Sequence, residues 1–177
     1  MRSLQPAVPR RAAAIPAVAA ALVFTSPALA NTGWRVVSSH GVRLVIPASW
    51  QRVRAASDGP VIDPRTLLVV GTKGVRQKDS QCQIAAYRIP SGGAVVVIVG
   101  WKTATSGGGH LTPGRAPLQT LRAVRRPSFE CFSGRGAAAQ VVLGGKAYQV
   151  NVMVGDKATK QRVTEALAVA RSFNLAR

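Results

Sequence analysis

Residues 136–173 constrain the fold more than any other stretch of the chain, reading GAAAQVVLGGKAYQVNVMVGDKATKQRVTEALAVARSF. Gly144-Gly145 supplies the two positive-φ positions of a tight primed turn between two strand-like runs. A two-residue loop pairs Leu143 with Lys146, Val141 with Tyr148, Ala139 with Val150 and Ala137 with Val152. Side chains alternate along a strand, so these eight share one face, apolar except for Lys146 at its rim. The opposite face carries Gln140 against Gln149, Ala138 against Asn151 and Val142 against Ala147. A three-residue loop would mix the two sets, so pattern and turn specify one register.

The residues after the hairpin switch to helical spacing. Val163, Ala166, Leu167 and Ala170 stand at i, i+3, i+4 and i+7 and form one stripe. Asp156 or Thr159 caps the helix N-terminus. Thr164, Glu165, Ala168, Arg171 and Ser172 fall on its far side. The simplest packing lays the stripe on the apolar face of the hairpin, where the alanines permit a close approach.

Residues 1–30 read as a cleavable secretory signal peptide. Arg2, Arg10 and Arg11 make a positive leading region, residues 12–24 a short apolar core, and Ala28-Leu29-Ala30 a small-residue cleavage site. The apolar core is short for a membrane span, with Pro16 inside it and Pro27 just beyond. Residues 31–177 suit a single domain with no transmembrane segment.

Within that domain, residues 34–38, 42–46, 66–71 and 83–89 read as strands, the second ended by Pro47. Residues 94–101 (AVVVIVGW) are the most apolar run of residues 31–177 and predict a central strand covered on both faces. Gly107, Gly108 and Gly109 mark a surface loop. Residues 118–124 suit either a short helix entered at Pro117 or a strand. Residues 128–133 (SFECFS) read as a further strand carrying Cys131. About eight strands joined mostly by short turns, then one long helix, predict an α+β fold. It is a mainly antiparallel β-sheet with the C-terminal α-helix packed on one face.

The chain has two cysteines, Cys82 and Cys131. In an exported protein an even count predicts a disulfide between them. No C-x-x-C spacing supports a redox pair, and two Cys and two His without close spacing make no zinc signature. No cofactor or metal site is therefore expected.

Chemistry is sparse. The acidic residues are Asp58, Asp63, Asp79, Glu130, Asp156 and Glu165. Asp156 and Glu165 have ordinary helix roles, and Asp58, Asp63 and Asp79 lie in turns. Glu130 stands near Arg125 and Arg126, which suits an ion pair at a strand end. His40 and His110 both lie in turn or loop sequence. There is no G-x-S-x-G elbow, no P-loop and no G-x-G-x-x-G opening a helix. Trp34, Trp50 and Trp101 stand at or beside strand ends, where rim packing is favoured over a carbohydrate platform.

Charge is the anomaly. Subtracting the three arginines of residues 1–30 from the formal net charge of +18 leaves +15 on the remaining 147 residues. Such a field draws anionic envelope polymers and anionic lipid headgroups. Few aromatics and no recognisable binding motif argue against nucleic acid. The basic residues are scattered, with 18 Arg against 6 Lys, which also suits a purely compositional origin.

Several segments resemble small exported proteins of unknown function from high-GC Gram-positive bacteria. They are G-V-R-L-V-I-P-A-S-W at 41–50, V-V-G-T at 69–72, the Cys82 segment, R-P-S-F-E-C-F at 126–132, A-Y-Q-V-N-V-M-V-G at 147–155 and E-A-L-A-V-A-R-S-F at 165–173. More distantly, a strand ending in P-x-x-W and a terminal helix with A-x-x-x-x-S-F are similar to the Mog1/PsbP-like α/β sandwich. The resemblance implies export and fold, and no catalytic residues.

The function expected is a non-catalytic binding or structural protein of the cell envelope with a basic surface. One alternative is an envelope-directed hydrolase using some of His40, His110 and Glu130, which requires those side chains to converge in one cleft. Another is an accessory domain of an exported complex, which an exposed apolar patch would favour.

Overall fold

The computed structural model describes residues 33–55, 63–80, 82–104, 113–125 and 131–177. The elements in chain order are β1 (Trp34–Ser39), β2 (Val42–Pro47), β3 (Trp50–Arg52), β4 (Arg65–Thr72), β5 (Arg76–Gln77) and β6 (Tyr87–Arg88). They continue with β7 (Ala94–Gly100), α1 (Ala116–Gln119), β8 (Arg135–Leu143), β9 (Lys146–Val154), α2 (Lys160–Arg171) and β10 (Asn174–Leu175).

The fold is α+β and mainly antiparallel. A five-stranded sheet runs β3-β4-β7-β9-β8, a three-stranded sheet runs β1-β2-β10, and β5 pairs with β6. The hairpin register is the expected one: Leu143↔Lys146, Val141↔Tyr148, Ala139↔Val150 and Ala137↔Val152. Gly144 and Gly145 have φ of 56° and 72°, as a primed two-residue turn demands.

Helix α2 begins where Thr159 accepts a hydrogen bond from the Arg162 backbone N–H, so Thr159 rather than Asp156 is the cap. It packs on β7, β9 and β2. Ala166, Leu167, Val169 and Ala170 are buried with Leu44 and Ile46 of β2 and with Val150 and Val152 of β9 in one core.

The far side of α2 is not left to solvent. The Trp50 indole N–H donates to Glu165 at 3.1 Å, and the Glu165 carboxylate also pairs with Arg162. The Val45 N–H donates to the Ser172 hydroxyl at 2.8 Å, extending the edge of β2 beyond β10. Arg171 donates to the Leu121 carbonyl at 2.7 Å. Helical periodicity picks out the apolar stripe but is blind to a second layer held by polar contacts.

β7 is buried on both faces along its whole length, as expected. Its second face meets Val53, Val69, Val75, Ala86, Tyr87 and Met153. The chain over that face departs from the sequence reading. Of residues 83–89, only Tyr87–Arg88 forms a strand, paired with Arg76–Gln77. This lid makes no ladder with the five-stranded sheet.

The Cys82–Cys131 disulfide is formed, across a sequence separation of 49. Cys131 has φ 64°, outside strand geometry, so the strand expected at 128–133 does not run through it; residues 126–130 lie outside the described residues. Residues 118–124 resolve as one helical turn, Ala116–Gln119, burying Leu118, followed by irregular chain. Trp50 starts β3 rather than merely ending the preceding strand, and is 1% exposed. Gly155 crosses so closely over the 90–93 turn that a Cβ there would fall on the carbonyl oxygens of Pro90 and Ser91. Among the described residues, no helix is long and apolar enough to cross a membrane.

Candidate functional site

The functional candidate lies at one end of the five-stranded sheet. Antiparallel pairing brings the start of β4, the end of β7 and the start of β9 abreast: Arg65 is opposite Gly100, and Gly100 is opposite Tyr148. Strand spacing of about 4.8 Å makes these three one short row. Trp101 and Lys102 follow β7, and Lys146 leads into β9. Together with the turn between β1 and β2, which supplies His40, they enclose a cleft of about 140 Å³.

Glycine at position 100 is required here. A Cβ on it would stand 2.5 Å from Leu67 Cδ1 and 3.1 Å from Tyr148 Cδ1. Its absence lets the Tyr148 ring and the Leu67 side chain close over the strand. Tyr148 is braced behind by Phe173, with ring centroids 5.4 Å apart and tilted at 56°.

Leu67 is an extra residue in β4. The ladder slips between Thr66 and Leu68, so Leu67 has no partner on β7. Its carbonyl is met by His40 Nδ1 at 3.0 Å. A carbonyl only accepts, so this contact puts the proton on Nδ1 and leaves the Nε2 lone pair free in the neutral ring. His40 is held in the left-handed region, φ 47°.

Ser39 Oγ lies 2.8 Å from the same Nδ1 and accepts from Arg52 Nη2 at 2.7 Å. With its proton turned to the Leu67 carbonyl, Nδ1 offers Ser39 no lone pair, so His40 does not act on that hydroxyl as a base through this contact. The arrangement ties the β1–β2 turn to β3 and β4, and is structural rather than nucleophilic.

The cleft's charge is uneven. Among the described residues, Arg65, Lys102 and Lys146 are cationic, against one carboxylate, Asp63. Asp63 is engaged by the Lys102 backbone N–H at 3.1 Å. Burial pushes the Tyr148 phenol above its ordinary value of 10.0, so at neutral pH it is a neutral hydroxyl. Three cations, a phenol and an imidazole around one small concavity suit an anionic group such as a phosphate or carboxylate.

Of the candidate hydrolase residues, His40 lines this cleft. His110 and Glu130 lie outside the described residues, so their convergence with it is not part of the described structure. Among the described residues, no group of three or more His, Cys, Asp and Glu side chains is placed to hold a metal ion. The tryptophans divide. Trp50 is core, Trp101 is half-buried on the cleft wall, and Trp34 is 48% exposed beside Val36 at 57%, against the expectation of rim packing. Trp34 and Val36 alternate onto the outer face of β1, the edge strand of the small sheet, where none of the described residues buries them.

Sequence reasoning missed Arg65, Lys102, Lys146 and Tyr148 as a set. Each flanks or opens a strand, which was legible; the order that makes those ends neighbours was not. Comparison of the chain with protein-family models and with curated proteins gives no match.

Proposed function

We propose that this is an exported, non-catalytic protein that binds anionic groups of the cell envelope through the cleft at the Lys102 end of the five-stranded sheet. The observation that carries the reading is the convergence of Arg65, Lys102 and Lys146 from three strand ends around a concavity whose one carboxylate among the described residues, Asp63, is already engaged. The disulfide and the signal-like residues 1–30 support the export half of the reading, as does the resemblance to exported proteins of high-GC Gram-positive bacteria. The net positive charge raises the local concentration of polyanions, and the cleft supplies the place where one is held.

The test is co-sedimentation of the oxidised protein with isolated cell-wall material and with anionic liposomes across a salt series. The expected result is binding that weakens steadily with salt and that Lys102→Ala/Lys146→Ala weakens further. At about 0.5–1 kcal/mol per exposed cation, the pair is worth about fivefold to thirtyfold. Binding that the double substitution leaves unchanged overturns the cleft. No binding even at low salt overturns the envelope reading altogether.

A further inference from the structure

The Trp101 indole bounds a second cleft as well as the first. This one measures about 190 Å³ and is lined by Pro64, Ile84, Val99, Gln83 and Gln149 beside Cys82. Among the described residues it is lined by no charged side chain.

The two clefts share a simple geometric origin. Successive strand residues point to opposite faces, and the walls are built from such neighbours. Gly100 and Tyr148 line the cationic cleft on the helix side, while Val99 and Gln149 line the neutral one on the other side. Val99 is paired directly with Gln149, and Gly100 with Tyr148. Asp63 and Pro64 divide in the same way. The clefts therefore lie back to back across the sheet and meet where β7 ends, at the half-buried Trp101.

The position of Trp101 is fixed. Its backbone N–H donates to the Ala147 carbonyl at 2.9 Å, and its side chain packs against the second-face core. The Gln149 amide is held by Gln140 and Asn151, and the Gln83 amide donates to the Pro64 carbonyl at 2.9 Å. The neutral cleft is thus a prearranged wall of amides and aliphatic carbon, bounded by an aromatic plate.

We infer that the site is bipartite and takes an acidic saccharide, with the anionic group at Lys102, Lys146 and Arg65 and the uncharged sugar ring over Trp101 and into the neutral cleft. A sugar ring presents polarised C–H groups, which suit the negative face of an indole, and hydroxyls, which suit amides at the wall. A bare lipid phosphate or a simple polyphosphate would use only the first half. This inference rests on the cationic-cleft reading and narrows its ligand class.

The test is calorimetric titration of the oxidised protein at low salt with three probes: inorganic phosphate, N-acetylglucosamine and N-acetylglucosamine 1-phosphate. The sugar phosphate is expected to bind about tenfold more tightly than inorganic phosphate. Trp101→Ala is expected to abolish the advantage of the sugar phosphate over inorganic phosphate, read as the ratio of the two affinities in the same variant, and Trp101→Phe, which keeps an aromatic plate and much of the packing, to retain most of that ratio. Lys102→Ala/Lys146→Ala is expected to weaken both. Equal affinity for sugar phosphate and inorganic phosphate in the unsubstituted protein overturns the bipartite site but leaves the cationic cleft standing. Failure of either phosphate to bind overturns the cationic cleft and the inference with it.

Discussion

Removing the disulfide should damage one face of the sheet and spare the other. The helix-side core is closed by α2 and by β2, both parts of regular elements. The opposite core is closed by residues 75–89, whose ladder among the described residues is the two-residue β5–β6 pair. That segment is held by turn contacts, such as Lys78 N–H to the Ala86 carbonyl, by the Gln83 amide on Pro64, and by the bond from Cys82 to Cys131. For a closed loop set by a separation of 49, chain entropy lost from the unfolded state is about 14 cal/mol/K, or about 4 kcal/mol at 25 °C. Against the roughly 5–15 kcal/mol that holds an ordinary domain together, this is a large share. With a urea slope of about 2 kcal/mol/M, Cys82→Ala/Cys131→Ala should lower the unfolding midpoint by about 2 M. Hydrogen exchange should localise the damage. Amides of Arg76–Gln77 and Tyr87–Arg88 should lose protection at urea concentrations where those of β8 and β9 are still protected. A midpoint shift below about 0.5 M, or protection lost evenly over both faces, would refute the view that the bond is what closes the second face.

Three further outcomes follow from the geometry. Gly155→Ala places a methyl against the Pro90 and Ser91 carbonyl oxygens, which are backbone and cannot rotate away, and should cost about 3 kcal/mol, seen as a fall of about 10 °C in Tm. Glu165→Ala leaves the Trp50 indole N–H buried without its acceptor and should cost about 1–3 kcal/mol; the loss should persist in 1 M salt, whereas a deficit that salt abolishes would assign it to the Arg162 pair instead. The Tyr148 phenol titrates above its ordinary 10.0 in the folded chain because burial disfavours its charged form. Its stabilisation is therefore fully present below pH 10 and is lost as the pH rises through the folded value, so unfolding midpoints should fall above pH 10 less steeply in Tyr148→Phe than in the unsubstituted chain.

Legibility in the sequence ran unevenly, and the unevenness has a physical cause. The β8–β9 register was readable because local alternation and a Gly-Gly turn fix it together. The double burial of Ala94–Gly100 was readable because an unbroken β-branched run has no polar face to show. The Cys82–Cys131 pair was readable from its count. The polar faces were not: Glu165, Arg171 and Ser172 look like solvated helix residues, and their partners, the Trp50 indole, the Leu121 carbonyl and the Val45 backbone, come from distant parts of the chain. The same holds for the cleft. Arg65, Lys102 and Lys146 are far apart along the chain, each a routine charge at a strand end, and strand order is a long-range property that no local pattern encodes. His40 was noticed for its chemistry, yet its proton is committed to Leu67, a contact that depends on an irregularity in a strand 27 residues away.

That irregularity separates two jobs that most strands must do at once. Leu67 and Leu68 both face the helix-side core, so the extra residue leaves the alternation on either side of it in phase. Excising Leu67 alone would straighten β4 while keeping Arg65, Thr66 and Val69 on the faces they already occupy. What would go is the carbonyl that anchors His40 and the methyl groups that cover Gly100. The cleft is thus detachable from the sheet that carries it: one codon, rather than a redesigned loop, stands between a sheet with a furnished end and a sheet with a bare one.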